Sequence, residues 1–428
     1  MQRASDTLVG ISVGTTKISV IVAEQNPRFA EGSPEAIQVI GVGHADARGL
    51  SKGVIVNLKE ATQSVIRAIR EAENITNQSI NSAIVAFNSL DVESVMTEGM
   101  VALDGREPRR VEEADLERAI EAAQSRLELS KNTYSAHTVP VRYELDGRPV
   151  DIPLDMTGKR LEIMLQTVSV PLASVQNVIT CVEGGAKVKV KGLVLKPLAA
   201  SLGAVTEEEM RAGCISLTIG GGATGLVLYR DGRPFKIISI PIGGQHITSD
   251  LASVLRVSWR DAEAVKKRIF IEDEEALRRD GIDIDMAVQV IGARIEELFM
   301  DYVRVALAEC SPQLFPSGVI LSGGVAKTPG IVEMLEEILQ MQVRVALPYY
   351  SMPPGREDAS YVSAAGILRY LSYRNSDAHL FVEPRTSDMW MPSMYDFEDK
   401  DISEREEVTR EKLRGFIADF TRKFRDLF

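Results

Sequence analysis

The sequence predicts an α/β fold built from two related lobes, and three observations favour it. Two glycine-rich hairpins lie about half a chain apart, at residues 8–22 and 214–229, and each reads as an apolar strand, a turn of small residues and a second strand. Residues 319–330 read as a buried strand, two glycines and the start of a helix. Residues 84–164 have a different pattern, which predicts a small α+β insert. The repeated hairpin indicates duplicated mixed-sheet domains.

Composition limits the class of protein. The chain has 428 residues, 45% of them apolar, which is enough for several cores. Its net charge of −12 argues against a general nucleic-acid-binding protein. Cys181, Cys214 and Cys310 lie far apart, so neither a disulfide framework nor a zinc site is predicted, and no metal ligands are assigned. The sequence has no apolar run of about 18 residues and no secretion signal, so we expect a cytoplasmic protein.

The first hairpin turn consists of Gly14, Thr15, Thr16 and Lys17. Small residues of this kind let backbone N–H groups surround an anion such as a phosphate. A nucleotide bound here would normally bring a divalent cation, which prefers carboxylate oxygens. The residue two positions before the turn is Ser12, so the expected acid is missing.

The second hairpin turn repeats this arrangement. Aligning Gly220 with Gly14 places Thr218 opposite Ser12, and again no acid precedes the turn. Each turn alone is equally well explained as an ordinary hairpin turn, but two in the same register favour phosphate binding. The residues predicted to hold phosphate here are Gly220, Gly221, Gly222 and Thr224.

A third glycine turn, at Gly323 and Gly324, follows an apolar strand and precedes a helix. Two glycines at this point allow the backbone to approach the base or sugar of a ligand closely. An ordinary turn between a strand and a helix is a fair alternative for this segment.

The insert reads as one helix and several strands. Residues 111–129 form a charged amphipathic pattern typical of a helix, and residues 137–147 and 161–170 read as strands around a turn at 152–160.

Beyond the second lobe, residues 374–407 are polar and acidic without clear periodicity, which predicts a flexible linker.

The last segment, residues 408–428, predicts an amphipathic helix that lies in a membrane interface. A helix that docks on the body or on a partner is the alternative. Its predicted apolar face consists of Leu413, Phe416, Ile417, Phe420, Phe424, Leu427 and Phe428. The basic residues at its flanks are Arg414, Arg422, Lys423 and Arg425.

The order of these segments resembles the actin-like ATPase superfamily and, within it, the bacterial cell-division FtsA family. The matching segments include ARGLSKGVIVNLKEATQSVIRAIREAE from residue 47, HTVPVRYELDG with IPLDMTGKRLE, ISIPIGGQHITSDLA, LSGGVAKTPG and YVSAAGILRYL. The resemblance implies a two-lobed actin-like fold with an SHS2-type insert. The implied units are a first lobe at 1–83 and 165–202, the insert at 84–164, a second lobe at 203–373, the linker at 374–407 and the amphipathic helix at 408–428.

The resemblance also implies ATP as the ligand. The first two turns would hold its phosphates, with Gly243 following the second turn, and the third turn would lie against adenosine. Glu263 and Lys266, one helical turn apart, match the pair that holds ribose and base, although an ordinary surface ion pair explains their spacing equally well.

Three departures from the family pattern bear on catalysis. Ser12 and Thr218 stand where the family usually has Asp, and Lys196 stands where it commonly has Glu. Phosphoryl transfer depends on a positioned water and on Mg²⁺, which hydroxyls and an ammonium support poorly. We therefore expect weak or absent hydrolysis, no catalytic residues, weakened Mg²⁺ dependence and a direct contact between Lys196 and phosphate.

The resemblance implies a scaffold that anchors the FtsZ ring at the cytoplasmic face of the cell membrane and at the division site. Its implied partners are the FtsZ C-terminal peptide, held by residues about 243–317, other copies of the chain in filaments, anionic lipids, and later division proteins that dock on the insert. A pilus-assembly-type component or another actin-superfamily ATPase is the alternative.

Overall fold

The computed structural model describes residues 7–26, 29, 34–103, 105, 107–128, 132–269, 277, 281–308 and 310–376. The predicted amphipathic helix and most of the predicted linker lie outside these residues. The last described helix ends at Ser376, three residues past the predicted end of the second lobe at residue 373. Its side chains are buried as far as Tyr370, and a helix fixed by packing extends readily by further residues.

The elements follow the chain in this order. The strands are β1 (Thr7–Val13), β2 (Lys17–Gln25), β3 (Ile37–Asp46), β4 (Leu50–Ser51), β5 (Val54–Ile55), β6 (Ser82–Phe87), β7 (Glu93–Ala102), β8 (Arg109–Arg110), β9 (Thr133–Leu145), β10 (Arg148–Val150), β11 (Thr157–Gly158), β12 (Arg160–Pro171), β13 (Lys189–Leu195), β14 (Cys214–Ile219), β15 (Thr224–Arg230), β16 (Arg233–Ile240), β17 (Val319–Ser322) and β18 (Val343–Val345). The helices of six residues or more are α1 (Leu58–Thr76), α2 (Glu113–Gln124), α3 (Leu172–Ile179), α4 (Lys196–Ala204), α5 (Glu207–Ala212), α6 (Gly244–Leu255), α7 (Trp259–Arg268), α8 (Ile284–Glu297), α9 (Ile331–Leu339) and α10 (Val362–Ser376), with π-helical turns at Thr180–Gly185 and Leu298–Val303.

Two five-stranded sheets have the same topology, which confirms the predicted duplication. The first sheet has the order β13-β6-β1-β2-β3, and the second has the order β16-β15-β14-β17-β18. In each sheet the three strands that come first in the chain (β1–β3 and β14–β16) form an antiparallel meander. The two later strands (β6 and β13, β17 and β18) continue the sheet on the other side of β1 or β14, and each pairs in parallel with its neighbour. Ser12 and Thr218 are each the second-last residue of the first strand, so they occupy equivalent positions.

Two helices connect the lobes. Helix α4 leads from the first sheet to the second, and α10 returns from the second lobe to pack on β1 and β6 of the first. The two helices cross closely because Gly203 and Gly366 have no side chain: a Cβ on either would meet the backbone of the other helix. The lobes are therefore joined by a tightly packed helix pair.

The insert is a four-stranded antiparallel sheet with one helix against it. Its strand order is β10-β9-β12-β7, and α2 packs on β7 and β12. The predicted helix and both predicted strands are present, with the helix shortened to Glu113–Gln124. Strand β12 crosses the boundary predicted at residue 164, with only a shift of register there, so the limits of the insert stay predictions.

Within the described ranges, no helix combines the length and the apolar composition that crossing a bilayer requires.

Candidate functional site

The two hairpin turns predicted to hold phosphate lie against each other, one from each lobe. The side chain of Thr16 occupies the space beside Gly221, and a Cβ built on Gly222 would lie 2.5 Å from the Thr15 hydroxyl oxygen. The glycines of the second turn thus accommodate the threonines of the first. Two segments that are more than 200 residues apart in sequence form one surface.

A small cavity of about 40 Å³ lies beside these turns, with room for about three water molecules. A pocket for a whole nucleotide would need to be several times larger. The cavity is lined by Val13, Gly14, Thr15, Gly53, Asn88, Lys196, Pro197, Thr218, Gly220, Gly221, Gly222, Ala223, Thr224 and Gly225. This space fits a phosphate group but not a triphosphate.

Lys196 is the first residue of α4 and directs its ammonium group into this cavity. A Cβ built on Gly14 would lie 2.5 Å from the Lys196 Nζ, which places the ammonium against the first turn. Burial lowers the pKa of Lys196 to about 8. Among the residues that the structure describes, the Lys196 ammonium has no hydrogen-bond or ion-pair partner.

The positions of the two missing acids are occupied by hydroxyl pairs. The Ser12 hydroxyl lies 3.1 Å from that of Ser363 on α10, and the Thr218 hydroxyl lies 2.7 Å from that of Ser322 at the end of β17. No Asp or Glu lines the cavity, and the described residues contain no group of three His, Cys, Asp or Glu suited to a metal. The donor set therefore does not fit a Mg²⁺ ion held by carboxylates.

Lys17, predicted as part of the first phosphate turn, points elsewhere. Its Nζ donates a hydrogen bond to the Ser360 hydroxyl at 3.2 Å and lies 3.4 Å from the centre of the Tyr361 ring. Burial lowers the pKa of Lys17 to about 8, although the nearby Asp358 carboxylate opposes this effect. The sequence pattern did not reveal these partners, which come from a segment more than 300 residues away.

Thr224, predicted in the second turn, is fully buried and donates to the Ile242 carbonyl at 2.8 Å. Gly243 is the residue before α6, and the first N–H groups of that helix bond back to the second turn. Gly244 donates to the Gly220 carbonyl at 2.9 Å, and Gln245 donates to that of Gly221 at 2.6 Å. These bonds fix the shape of the second turn.

Glu263 and Lys266 form a hydrogen-bonded cluster with α6. The Lys266 ammonium donates to Glu263 at 2.6 Å, to the Thr248 hydroxyl at 2.7 Å and to the Gly244 carbonyl at 3.0 Å. Burial lowers the pKa of Lys266, whereas for Glu263 the hydrogen bonds from Lys266 and Thr248 outweigh burial and lower its pKa. Thr248, one turn into α6, was missed because an isolated Thr gives no signal in sequence.

The third glycine turn follows β17, near the start of α6. Gly323 has a positive φ of 94° that lets the chain pass the Ile219 carbonyl, and a Cβ built on Gly324 would meet no atom within 4 Å. Val325, the next residue, approaches Gly244 at the start of α6. Gly243 lies against Gly220 and Gly221 of the second phosphate turn, and the adjacent Gly244 approaches both Val325 and the Lys266 ammonium.

Comparison with known proteins identifies the family. A family model described as cell division protein FtsA matches residues 215–366, and one described as the SHS2 domain inserted in FtsA matches residues 90–169. FtsA of Pseudomonas aeruginosa is 31% identical over 393 residues, which cover 88% of this chain and 91% of that protein. This chain belongs to the FtsA family of cell division proteins. The family resemblance expected from the glycine turns and the insert is confirmed.

Other relatives agree with this assignment. FtsA of Bacillus subtilis is 29% identical, covering 86% of this chain and 83% of that protein. Among solved structures, a chain of the PilM-PilN type IV pilus biogenesis complex aligns with a TM-score of 0.59 at 17% identity, covering 85% of this chain and 98% of that one. Such low identity shows the actin-like fold alone, and the curated relatives do not favour the pilus-assembly alternative.

Proposed function

We propose that this chain is an actin-like scaffold of bacterial cell division that anchors the FtsZ ring to the cytoplasmic face of the membrane. Membership in the FtsA family supports the division role, and the other partners are later division proteins and further copies of the chain. The scaffold holds ATP between its lobes as a structural ligand. The two phosphate turns, the adjacent Gly243 and Lys196 hold the phosphates, while Gly323, Gly324, Glu263 and Lys266 contact the nucleoside.

The hydroxyl pairs at Ser12 and Thr218 carry the proposal that the nucleotide is held rather than turned over. Neither hydroxyl supplies the charge that positions a metal ion and its attacking water. The direct test is phosphate release from ATP over hours with Mg²⁺, beside a measurement of ATP binding. We expect binding with little or no release, and rapid Mg²⁺-dependent turnover would contradict the proposal.

An exposed apolar stretch in the second lobe is the proposed contact for the FtsZ C-terminal peptide. Val254, Val257 and Trp259 are between 37% and 49% exposed at the junction of α6 and α7. Exposed aromatic side chains are frequent anchors in interfaces. We expect Trp259→Ala to weaken binding of the peptide in a fluorescence titration. Met286→Ala on α8 is the control, because it changes another exposed apolar position. Equal affinity of the two variants for the peptide would contradict this assignment.

The amphipathic segment 408–428 is the proposed membrane anchor. One such helix binds lipid reversibly, and several copies in a filament bind far more tightly through effective concentration. Flotation with vesicles that contain anionic lipid tests this. Phe420→Asp with Phe424→Asp should abolish flotation, whereas Gly415→Asp with Ala418→Asp adds the same charge to the polar face and should retain it. Flotation of the first pair at the wild-type level would overturn the anchor.

A further inference from the structure

We propose that the cavity between the phosphate turns takes the phosphate groups of a nucleotide free of divalent cation, with the Lys196 ammonium in the role that the metal has elsewhere. This inference rests on the proposed function that a nucleotide binds between the lobes. It adds that the chain prefers the metal-free nucleotide to its Mg²⁺ complex.

The first support is the position of Lys196 and its lack of a partner. Lys196 is partly buried. An ammonium group that is partly withdrawn from water without an ion pair is costly, and a bound anion would supply the missing charge. Lys196 lies against Gly14, within the cavity that both phosphate turns line. A phosphate oxygen at this point would meet the ammonium and the backbone of the first turn together.

The second support is that no carboxylate lines the cavity and that the hydroxyls at the two equivalent strand positions already have protein partners. Ser12 shares a hydrogen bond with Ser363, and Thr218 shares one with Ser322, so each hydroxyl has a protein partner and neither supplies negative charge to a cation. Mg²⁺ demands six oxygen ligands in strict geometry and is commonly fixed by one or two carboxylates, and no lining residue has one.

The third support is the charge that the cavity already contains. A Mg²⁺ ion bound to the phosphates would lie near the Lys196 ammonium, and two positive charges at close range in a partly buried site repel each other strongly. Mg²⁺ also neutralises two of the negative charges that attract the ammonium. Both effects weaken binding of the metal complex relative to the free nucleotide.

The test is a calorimetric titration of the full-length protein with ATP, once in EDTA and once in millimolar Mg²⁺. We expect the wild-type protein to bind about tenfold more tightly in EDTA. In Lys196→Glu, the preference should reverse, so that binding requires Mg²⁺. Lys189→Glu, which changes the same charge at an exposed position of β13, should keep the wild-type preference.

The outcomes separate this inference from the proposed function. Tighter wild-type binding in Mg²⁺ than in EDTA overturns the metal-free site but leaves nucleotide binding intact. No binding in either condition overturns nucleotide binding itself. If Lys196→Glu fails to fold, as judged by circular dichroism, Lys196→Gln replaces it. Loss of the tighter binding in EDTA in this neutral variant supports the inference. A Lys196→Gln protein that still binds ATP more tightly in EDTA than in Mg²⁺ overturns the role of the ammonium.

Discussion

His137 of the insert accepts a hydrogen bond from the backbone N–H of Leu195, with 3.0 Å between the His137 Nε2 and the Leu195 nitrogen. Leu195 ends β13 and immediately precedes Lys196, whose ammonium lines the cavity. The insert therefore fixes the backbone directly before Lys196. Burial lowers the pKa of His137 to about 3, and the imidazole is therefore neutral and able to accept at physiological pH. The insert thus contacts the chain next to Lys196 through a buried hydrogen bond.

Replacing His137 by Phe should destabilise the protein and weaken nucleotide binding. The variant leaves the Leu195 N–H buried without its acceptor, which should lower the free energy of unfolding by about 1–3 kcal/mol. The shift of the β13–α4 junction should also lower the affinity for ATP. Chemical denaturation measures the first effect, and calorimetry measures the second.

His137→Gln is the matched variant, because its amide oxygen can accept a hydrogen bond. We expect it to recover part of both losses. A His137→Phe protein with wild-type stability and wild-type affinity would refute the proposed link between the insert and Lys196.

The affinity for metal-free ATP should depend on pH through Lys196. The pKa of Lys196 in the free protein is lowered by burial to about 8, so the ammonium is charged below this pH and becomes neutral above it. Because the anion binds the charged form, affinity should be nearly constant below pH 8 and fall above it, by up to about tenfold per pH unit. Calorimetry in EDTA between pH 6.5 and about 9.5 provides the profile.

Lys196→Arg is the control for this profile, because a guanidinium does not titrate in this range. The fall above pH 8 should be absent in this variant. Lys17 also has its pKa lowered to about 8 by burial, so Lys17→Arg shows whether it contributes. A fall that persists in Lys196→Arg would assign the titration to another group.

Nucleotide binding should require the two phosphate turns to separate, because the cavity beside them is too small for a triphosphate. Cysteines at Thr16 and Gly221 can lock the turns together: a Cβ built on Gly221 lies 3.1 Å from the Thr16 Cβ, just under the about 3.5–4.5 Å of a disulfide. The oxidised Thr16→Cys, Gly221→Cys protein should not bind ATP, and reduction should restore binding. Calorimetry before and after reduction measures the difference.

The single variant Thr16→Cys, treated with the same oxidant, should bind equally well before and after reduction. Equal affinity of the oxidised and reduced double variant would mean that the nucleotide enters without separation of the turns.

Sequence predicted most of the fold because the relevant patterns are local. The alternation of apolar residues in β1 and β2 and the glycines of the turns between strands depend on neighbours in the chain, and the duplicated hairpins lie where the pattern placed them. The packing of α10 against α4 is a tertiary contact that sequence patterns do not reveal. The predicted residues of the membrane helix lie outside the described residues, so that prediction stands untested.

The predicted site was less complete for the same physical reason. Sequence indicated that Ser12 and Thr218 are not acids, but not that Ser363 and Ser322 satisfy their hydroxyls. It grouped Lys17 with the phosphate turn, whereas the structure places its ammonium over Tyr361. Each of these partners lies more than 100 residues away, and single hydroxyls or rings carry no periodic signal.

The nucleoside side and the phosphate side of the cleft should be separable by substitution. Lys266 holds Glu263 and the start of α6 through three hydrogen bonds, while Lys196 lies between the phosphate turns. Lys266→Met should lower the affinity for ATP about tenfold or more, as expected for lost charge-assisted hydrogen bonds. It should leave the affinity for inorganic tripolyphosphate, which has no nucleoside, unchanged.

Lys267→Met is the matched control, because Lys267 is 70% exposed and contacts Glu263 from the solvent side at 3.3 Å. Solvent screening makes this second pair weak, so ATP affinity should change little. Lys196→Met should instead weaken ATP and tripolyphosphate together, because both present the same phosphate groups to the ammonium. If Lys266→Met also weakened tripolyphosphate, Lys266 would act through the shape of the second turn, which α6 fixes through Gly244, and not through the nucleoside.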